Sequence, residues 1–453
     1  MTKGCRPQKC WSWQAKCMKV FRSRILTRLS ESRLTVQIFS EIGKLEQIEL
    51  TRMQNLTAEQ TLKPDVESHR TAQTICCYVA FIAIGLAAGL LGPTLVGLAK
   101  QTDSSFAEIG FVFTIHSFGY VVGSTVFGKF YERVGGHKIL SVMVVMLSAA
   151  LLLIPLSSEL WMLLCAVFLL GTAEGTGQVG VNTLLVWLYN QKSTPYLNGA
   201  HFFFGVGALT SPIIVAQFLI GGYDFAAAYR FVAFLILPVI VLFLFVPSPG
   251  LRTSEKTEES QPINYGLVAL VAVFYFLYLG TEISFGGWIS TFAVSLKLGD
   301  EATAAYLASA FWSALTFGRL IAVPLSVKLK PRTLLIGDLV LALFGFAIIG
   351  FGGNSYAATL AGTLIIGASF ASVYPTMFAF AGNRLNVSGR IAGFFVMGGS
   401  FGSMLFPFLA GLMFERSGAK SLILLDSVLV ISALVILFVV LAAFPQKRLD
   451  AAV

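Results

Sequence analysis

The chain has 453 residues, of which 56% are hydrophobic and only 12% charged, and its formal net charge is +9. Soluble domains carry about 25% charged residues. This composition, with a mean hydropathy of +0.78, excludes a soluble globular enzyme and specifies an integral membrane protein. The positive balance does not point to nucleic acid, because the basic residues fall in loops and in the N-terminal arm, not on one domain face.

Residues 1–73 read as a basic cytoplasmic arm, poorly ordered. Within it, 16–33 places Met18, Phe21, Ile25 and Leu29 at helical spacings among basic residues. That pattern fits a helix on an anionic membrane surface, an irregular arm, or an over-extended start of translation. No continuous apolar run follows it, so it is not a secretory signal. Twelve apolar runs come next, near 74–99, 107–128, 138–157, 160–189, 196–220, 226–247, 264–295, 303–327, 333–352, 356–381, 391–414 and 420–443. Each is long enough for a hydrocarbon core of about 30 Å. The polar stretch 247–262 is the one break of linker length, which gives two six-helix bundles, 74–247 and 264–443, joined by a cytoplasmic linker at 248–263 and followed by a tail at 444–453.

The halves repeat. Gly207 and Pro212 match Gly402 and Pro407 at an offset of 195, and Gly171 matches Gly367 at 196. A duplication with a site between its halves is a recurrent transporter plan. Short-loop Lys and Arg set orientation. One side carries Lys129, Arg133, Lys138, Lys192, Arg252, Lys256, Lys328, Lys330, Arg332, Arg384 and Arg390, whereas the other carries Lys100, Lys297, Arg416 and Lys420 among several acids. The richer side reads as cytoplasmic, with both termini inside and the plasma (inner) membrane as location. Cys5, Cys10 and Cys17 lack a nearby histidine for a zinc site, and all six cysteines read as free thiols.

The fourth span holds the informative polar residues. Glu174, Gln178 and Asn182 lie four apart and so stack on one helical face. An acid in the bilayer costs roughly 2.5–3.5 kcal/mol on insertion scales, so this face turns to a protein interior or a watery cavity. Gly171, Gly175, Gly177 and Gly180 allow close approach of neighbouring helices. The stripe reads either as glue between helices or as a midplane site for substrate or protons.

Between the second and third spans stands Gly128-Lys-Phe-Tyr-Glu132-Arg133-Val-Gly135-Gly-His137-Lys138. This resembles the cytoplasmic loop motif of the major facilitator superfamily, with Glu132 for Asp and His137 in the first basic slot. Glu132 and Arg133 are suited to charge-assisted bonds that latch one gate state, so Gly128, Glu132, Arg133, Gly135 and Lys138 form the expected gating loop. Three further stretches carry a finer likeness: Gly171-Thr-Ala-Glu174 with Asn182-Thr-Leu-Leu, Asn198-Gly-Ala-His201 running to Pro212, and Gly280-Thr-Glu282-Ile-Ser-Phe-Gly-Gly-Trp288. Together with Gly92-Pro93-Thr94 they resemble the fucose–proton symporter and sodium-dependent glucose transporter group. The resemblance implies the twelve-helix major facilitator fold and a monosaccharide or other small polar solute carried with a cation. One departure is that 85–94 contains no acid, where the bacterial fucose symporter has one in its first helix.

Each polar residue within the spans has an expected role. Glu174 leads for cation coupling, and Glu282 shares that task or bonds a sugar hydroxyl; otherwise either acid is held in a salt bridge with Arg230 or Arg319. Gln178, Asn182 and Asn198 offer the paired donors and acceptors that hydroxyls need. Trp288, with Trp312, Tyr278 and Tyr374, offers an apolar wall. His116 and His201 read as packing hydrogen bonders rather than proton relays. Asp338 and Asp426 read as helix-end residues that snorkel or cap. The run Gly175-Thr-Gly177-Gln-Val-Gly180 fits a dinucleotide fingerprint but lies inside a membrane helix, so it carries no such meaning. No enzyme chemistry, cofactor or metal site is expected beyond a proton or sodium ion for coupling. The partners expected are a small solute and the bilayer, with the chain a monomer. A uniporter, an exporter of another solute, or a transporter-shaped receptor are the competing readings.

Overall fold

Inside lipid every backbone N–H and C=O must be satisfied within its own segment, so long apolar runs have little choice but helix. The computed structural model describes residues 63–131, 133–249, 264–352, 354–382, 384–385 and 389–444. It builds twelve membrane-spanning helices: α1 His69–Gln101, α2 Phe106–Gly128, α3 Gly136–Leu156, α4 Leu160–Tyr189, α5 Thr194–Ile220, α6 Phe225–Phe245, α7 Tyr265–Ser295, α8 Glu301–Lys328, α9 Pro331–Phe351, α10 Tyr356–Gly382, α11 Ile391–Ser417 and α12 Ser421–Ala443. All twelve match the runs read from sequence. The chain divides into two units, Met1–His69 and Arg70–Val453. The spans from Arg70 onward make up the second unit, whereas segment 16–33 and Cys5, Cys10 and Cys17 lie outside the described residues.

α1, α2 and α6 are each interrupted where the sequence pattern is continuous, α2 at Gly110. The first breaks at Gly89 and Leu90, between Lys63–Ala88 and Leu91–Gln101. Pro93 has no N–H to give the Gly89 carbonyl, and its ring crowds that carbonyl. The Leu90 N–H turns back instead to the Ala87 carbonyl at 3.3 Å. Pro238 has the same effect in α6, between Phe225–Ile236 and Val239–Phe245.

Glycine decides which helices lie closest. A Cβ at Gly171 would strike the His116 carbonyl, and one at Gly175 the Tyr120 carbonyl, so α4 runs backbone-to-backbone along α2. In the other half, a Cβ at Gly367 would strike the Phe311 carbonyl, placing α10 along α8 in the same way. The second repeated pair behaves alike: Gly207 of α5 abuts the Ile82 carbonyl of α1, and Gly402 of α11 abuts the Phe276 carbonyl of α7. The glycines that match in sequence therefore make the matching contact in each half.

The halves meet along α1–α7, α2–α11 and α5–α8. The contacts described across this seam run from the face carrying residues 102–105, 221–224 and 296–300, here the acidic face, inward to mid-membrane. Lys100 Nζ bonds Glu301 Oε1 at 2.8 Å, the Phe106 N–H donates to Glu415 Oε2 at 3.0 Å, and Gln217 Nε2 donates to Tyr306 Oη at 2.7 Å. Pro407 lacks the N–H that would occupy the Ser403 carbonyl, and Ser117 Oγ of the other half donates there at 3.3 Å. Thr114 Oγ1 does the same to the Met404 carbonyl at 2.7 Å. The innermost contact is Arg319 Nη1 donating to the His201 carbonyl at 3.4 Å. Beyond it, Leu320, Ile321, Val323, Leu325 and Val327 are all exposed. Exposure on successive residues, not on one stripe, means that α8 stands clear on all sides there. Among the described residues the bonds across the seam close the acidic face, and the end of α8 stands clear at the opposite, basic one.

Replacing Gly175 by Ala drives a methyl into the α2 backbone and is expected to destabilise by about 1–3 kcal/mol. Gly337→Ala, where nothing lies within 4 Å of the added methyl, is expected to be neutral. Thermal unfolding of both purified variants checks the contrast.

Candidate functional site

The close approach of α2 and α4 brings one ionisable side chain onto another. Glu174 is buried, and His116 Nε2 lies 3.0 Å from its Oε2. His116 remains about one-fifth exposed, whereas Glu174 Oε1 is sealed and has no partner. The expected alternatives of Arg230 or Arg319 as the partner of Glu174 are corrected here. Arg230 faces Asp224 at 3.6 Å at the exposed end of α6, and Arg319 reaches His201. One and two turns along the stripe, Gln178 and Asn182 are half-buried, and Asn182 Oδ1 is a covered acceptor without a donor.

The second acid belongs to the other half. Glu282 of α7 is buried, and Tyr278, one turn earlier, donates its hydroxyl to Glu282 Oε2. The same hydroxyl lies 3.1 Å from the Phe370 carbonyl of α10. A phenol has one proton to give, so this triad accepts two protonation states without moving. Ionised Glu282 accepts the hydrogen bond that the Tyr278 hydroxyl donates. Neutral Glu282 donates to the Tyr278 oxygen, which then turns its own proton to Phe370.

Between the acids runs a belt of polar side chains that crosses the seam. Tyr120 of α2 lies within electrostatic reach of Glu174 and of Tyr374 on α10. Tyr374 lies in turn within reach of Glu282, and Glu282 within reach of Arg319. Arg319 returns to the first half at His201. Tyr120, Arg319 and His116 are members that sequence reasoning left out of the site. The signal for His116 was its place on α2 opposite the glycines of α4, which only the register of those two helices resolves.

Other expected site residues lie elsewhere. Trp288 is fully buried: its Nε1 donates to the Pro407 carbonyl at 2.9 Å, and its ring packs against Phe106, Phe113 and Phe414. In this conformation it plugs the closed end and presents no wall to the belt. Asn198 is exposed near the start of α5. In the loop motif Glu132 lies outside the described residues, while the side chains of Arg133 and Lys138 are exposed and Gly135 is half-buried. The contacts that anchor this loop come from neighbouring positions. His137 Nδ1 lies 2.8 Å from the Val246 carbonyl, and Tyr131 Oη donates to the Thr176 carbonyl at 3.0 Å, its ring set against Gly180. The expectation that Asp338 and Asp426 snorkel or cap is also corrected. Asp338 accepts from Ser372 of α10, and Asp426 is wholly buried, because α9 and α12 both pack against other helices of their half.

Twelve helices duplicated six and six, joined at one face and carrying a polar belt, define a membrane transporter. The family model described as the Major Facilitator Superfamily matches residues 77–407, and the chain belongs to that superfamily. Among its relatives are sodium-dependent glucose transporter 1 of Xenopus laevis, 26% identical over 357 residues and covering 72% of each chain, and major facilitator superfamily domain-containing protein 4A of Danio rerio, 27% identical with 78% of this chain and 84% of that protein covered. Among solved structures, a bacterial homologue of the human lysosomal transporter Spinster superposes with a TM-score of 0.72 at 12% identity, over 85% of this chain and 99% of that one. The nucleoside transporter NupG superposes with a TM-score of 0.62 at 15% identity, over 84% and 100%.

His116→Ala strips Glu174 of its partner and is expected to destabilise by about 1–3 kcal/mol. Glu174→Gln keeps a polar group on His116 and is expected to cost less, and the double variant less than the sum of the two. Thermal unfolding of the four proteins at neutral pH gives this coupling energy.

Proposed function

We propose that this transporter moves a small polar solute, a hexose or deoxyhexose, together with a proton or sodium ion by alternating access. The observation that carries the reading is the pair of buried acids, Glu174 and Glu282, one in each half and linked by the belt across the seam. A group that is charged in one state and neutralised in the other is what cation coupling requires. Glu174 takes the coupling role, and Glu282 shares it or bonds a sugar hydroxyl. Gln178 and Asn182 supply solute hydrogen bonds, Asn182 with an acceptor already unpaired. Trp288 and Asn198 are reserved for conformations other than this one. Two relatives named as sodium-dependent glucose transporters in Xenopus laevis and Homo sapiens, at 26% and 25% identity, lend the solute class and coupling ion their support.

With the basic face cytoplasmic, as the loop charges imply, this conformation faces inward. The plasma membrane is the proposed location, and both termini lie inside. Residues 74–247 and 264–443 rock about the midplane, with 248–263 joining them.

The test is uptake of radiolabelled monosaccharides into proteoliposomes, with pH and sodium gradients imposed separately. One co-transported charge at 100 mV is worth about 2.3 kcal/mol, enough for accumulation of about fifty-fold. Glu174→Gln is expected to reduce accumulation to equilibration while leaving solute exchange intact. Undiminished gradient-driven uptake by that variant removes Glu174 from the role.

A further inference from the structure

Two acids well inside the spans have no part in the belt, Asp338 and Asp426, and Asp338 has a bond from Ser372. Asp426 lies within α12 and is 0% exposed, and neither Oδ1 nor Oδ2 has a hydrogen-bond partner. Ser284 of α7 is the polar side chain within interaction range of it, and Ser284 Oγ is likewise buried, close to Asp426 but outside the geometry of a formed hydrogen bond. α12 packs on α7, α9 and α11, whose charged groups are engaged elsewhere or remote. Glu282 accepts from Tyr278, Asp338 accepts from Ser372, and Glu415 accepts from the Phe106 N–H. Arg416 and Lys420 lie at exposed helix ends beside the acidic face. Among the described residues no Lys, Arg or His nitrogen lies within 4.0 Å of Asp426.

An ionised carboxylate with no cation, and with one serine hydroxyl as the sole donor in range, is the least favourable way to occupy such a site. A metal ion would need a shell of oxygens, which membrane sites draw from unwound backbone, yet α12 is continuous through Asp426 and α7 through Ser284. A neutral acid needs only a partner for its O–H, and Ser284 Oγ is there.

We propose that Asp426 and Ser284 form a proton-binding site in the α7–α12 seam, separate from the central belt. One proton from water joins the carboxylate, the charge falls by one, and the new O–H donates to Ser284 Oγ. Ser284 stands two residues beyond Glu282 on the same helix, so the proton leaves only when α7 shifts enough to admit water. The assignment does not depend on which solute is carried.

Infrared spectroscopy of the purified full-length protein tests it, in a Glu174→Gln, Glu282→Gln, Asp338→Asn background that silences the other three acids well inside the spans. Near neutral pH the parent is expected to show one carboxylic-acid C=O band, sensitive to deuterium, that Asp426→Asn removes. Ser284→Ala is expected to shift that band to the position of a free acid, and this variant decides the matter if Asp426→Asn does not fold. No difference between parent and variants means that Asp426 is ionised and overturns the proposal. A band that sodium chloride bleaches and choline chloride leaves intact makes this a sodium site, and overturns it as well.

Discussion

A carboxylate within a hydrocarbon slab must have a partner or lose its charge, and the arrangement of this protein stems from that constraint. Glu174 is held by His116, Glu282 by Tyr278, Asp338 by Ser372. Each partner comes from a position that helix packing fixes, and packing is fixed in turn by where glycine lets backbones touch. In α4 the glycines that admit α2 are the ones that deliver His116 to Glu174. The close contact and the polar pair are therefore one structural decision.

The halves share a packing plan but not their chemistry. Gly171 and Gly367, or Gly207 and Gly402, make equivalent contacts on opposite sides of the seam. The acids do not follow the repeat: one pairs with a histidine from a neighbouring helix, the other with a tyrosine one turn away on its own helix. At the closed face the seam is held by an exposed Lys100–Glu301 pair, by side-chain bonds to carbonyls near Pro407, and by the Trp288 cluster. Exposed ion pairs contribute about 0–1 kcal/mol. Most of the resistance to opening there comes from the aromatic plug, about 0.5–1.5 kcal/mol for each ring pair beyond its buried area.

Much of this architecture is legible in the sequence. Twelve spans, the break at 247–262 and the inward face of Glu174 come from hydropathy and the cost of charge in lipid. What sequence leaves open is registration between helices. A lone histidine at 116 fits packing and pairing equally well until the α2–α4 register is known. Trp288 lies six residues beyond Glu282, about 9 Å along a helix, which carries it from the belt to the closed end. Asp426 sits near a helix start by count, where an acid usually caps, but α12 packs against α7 and seals it in. The break at Gly89 is readable in principle from Pro93 four residues on.

The central claim is that the two halves pivot about the belt, closing one face as the other opens. Spin labels at Lys192→Cys and Lys328→Cys span the basic face, and labels at Tyr223→Cys and Ser355→Cys span the acidic one; all four positions are exposed. Pulsed electron paramagnetic resonance distances across both pairs, with and without each of a panel of hexoses and deoxyhexoses, measure the pivot directly. The account predicts reciprocal change, the basic-face distance shortening as the acidic-face distance lengthens. Two distances that stay fixed under every solute, or that move in the same direction, contradict it.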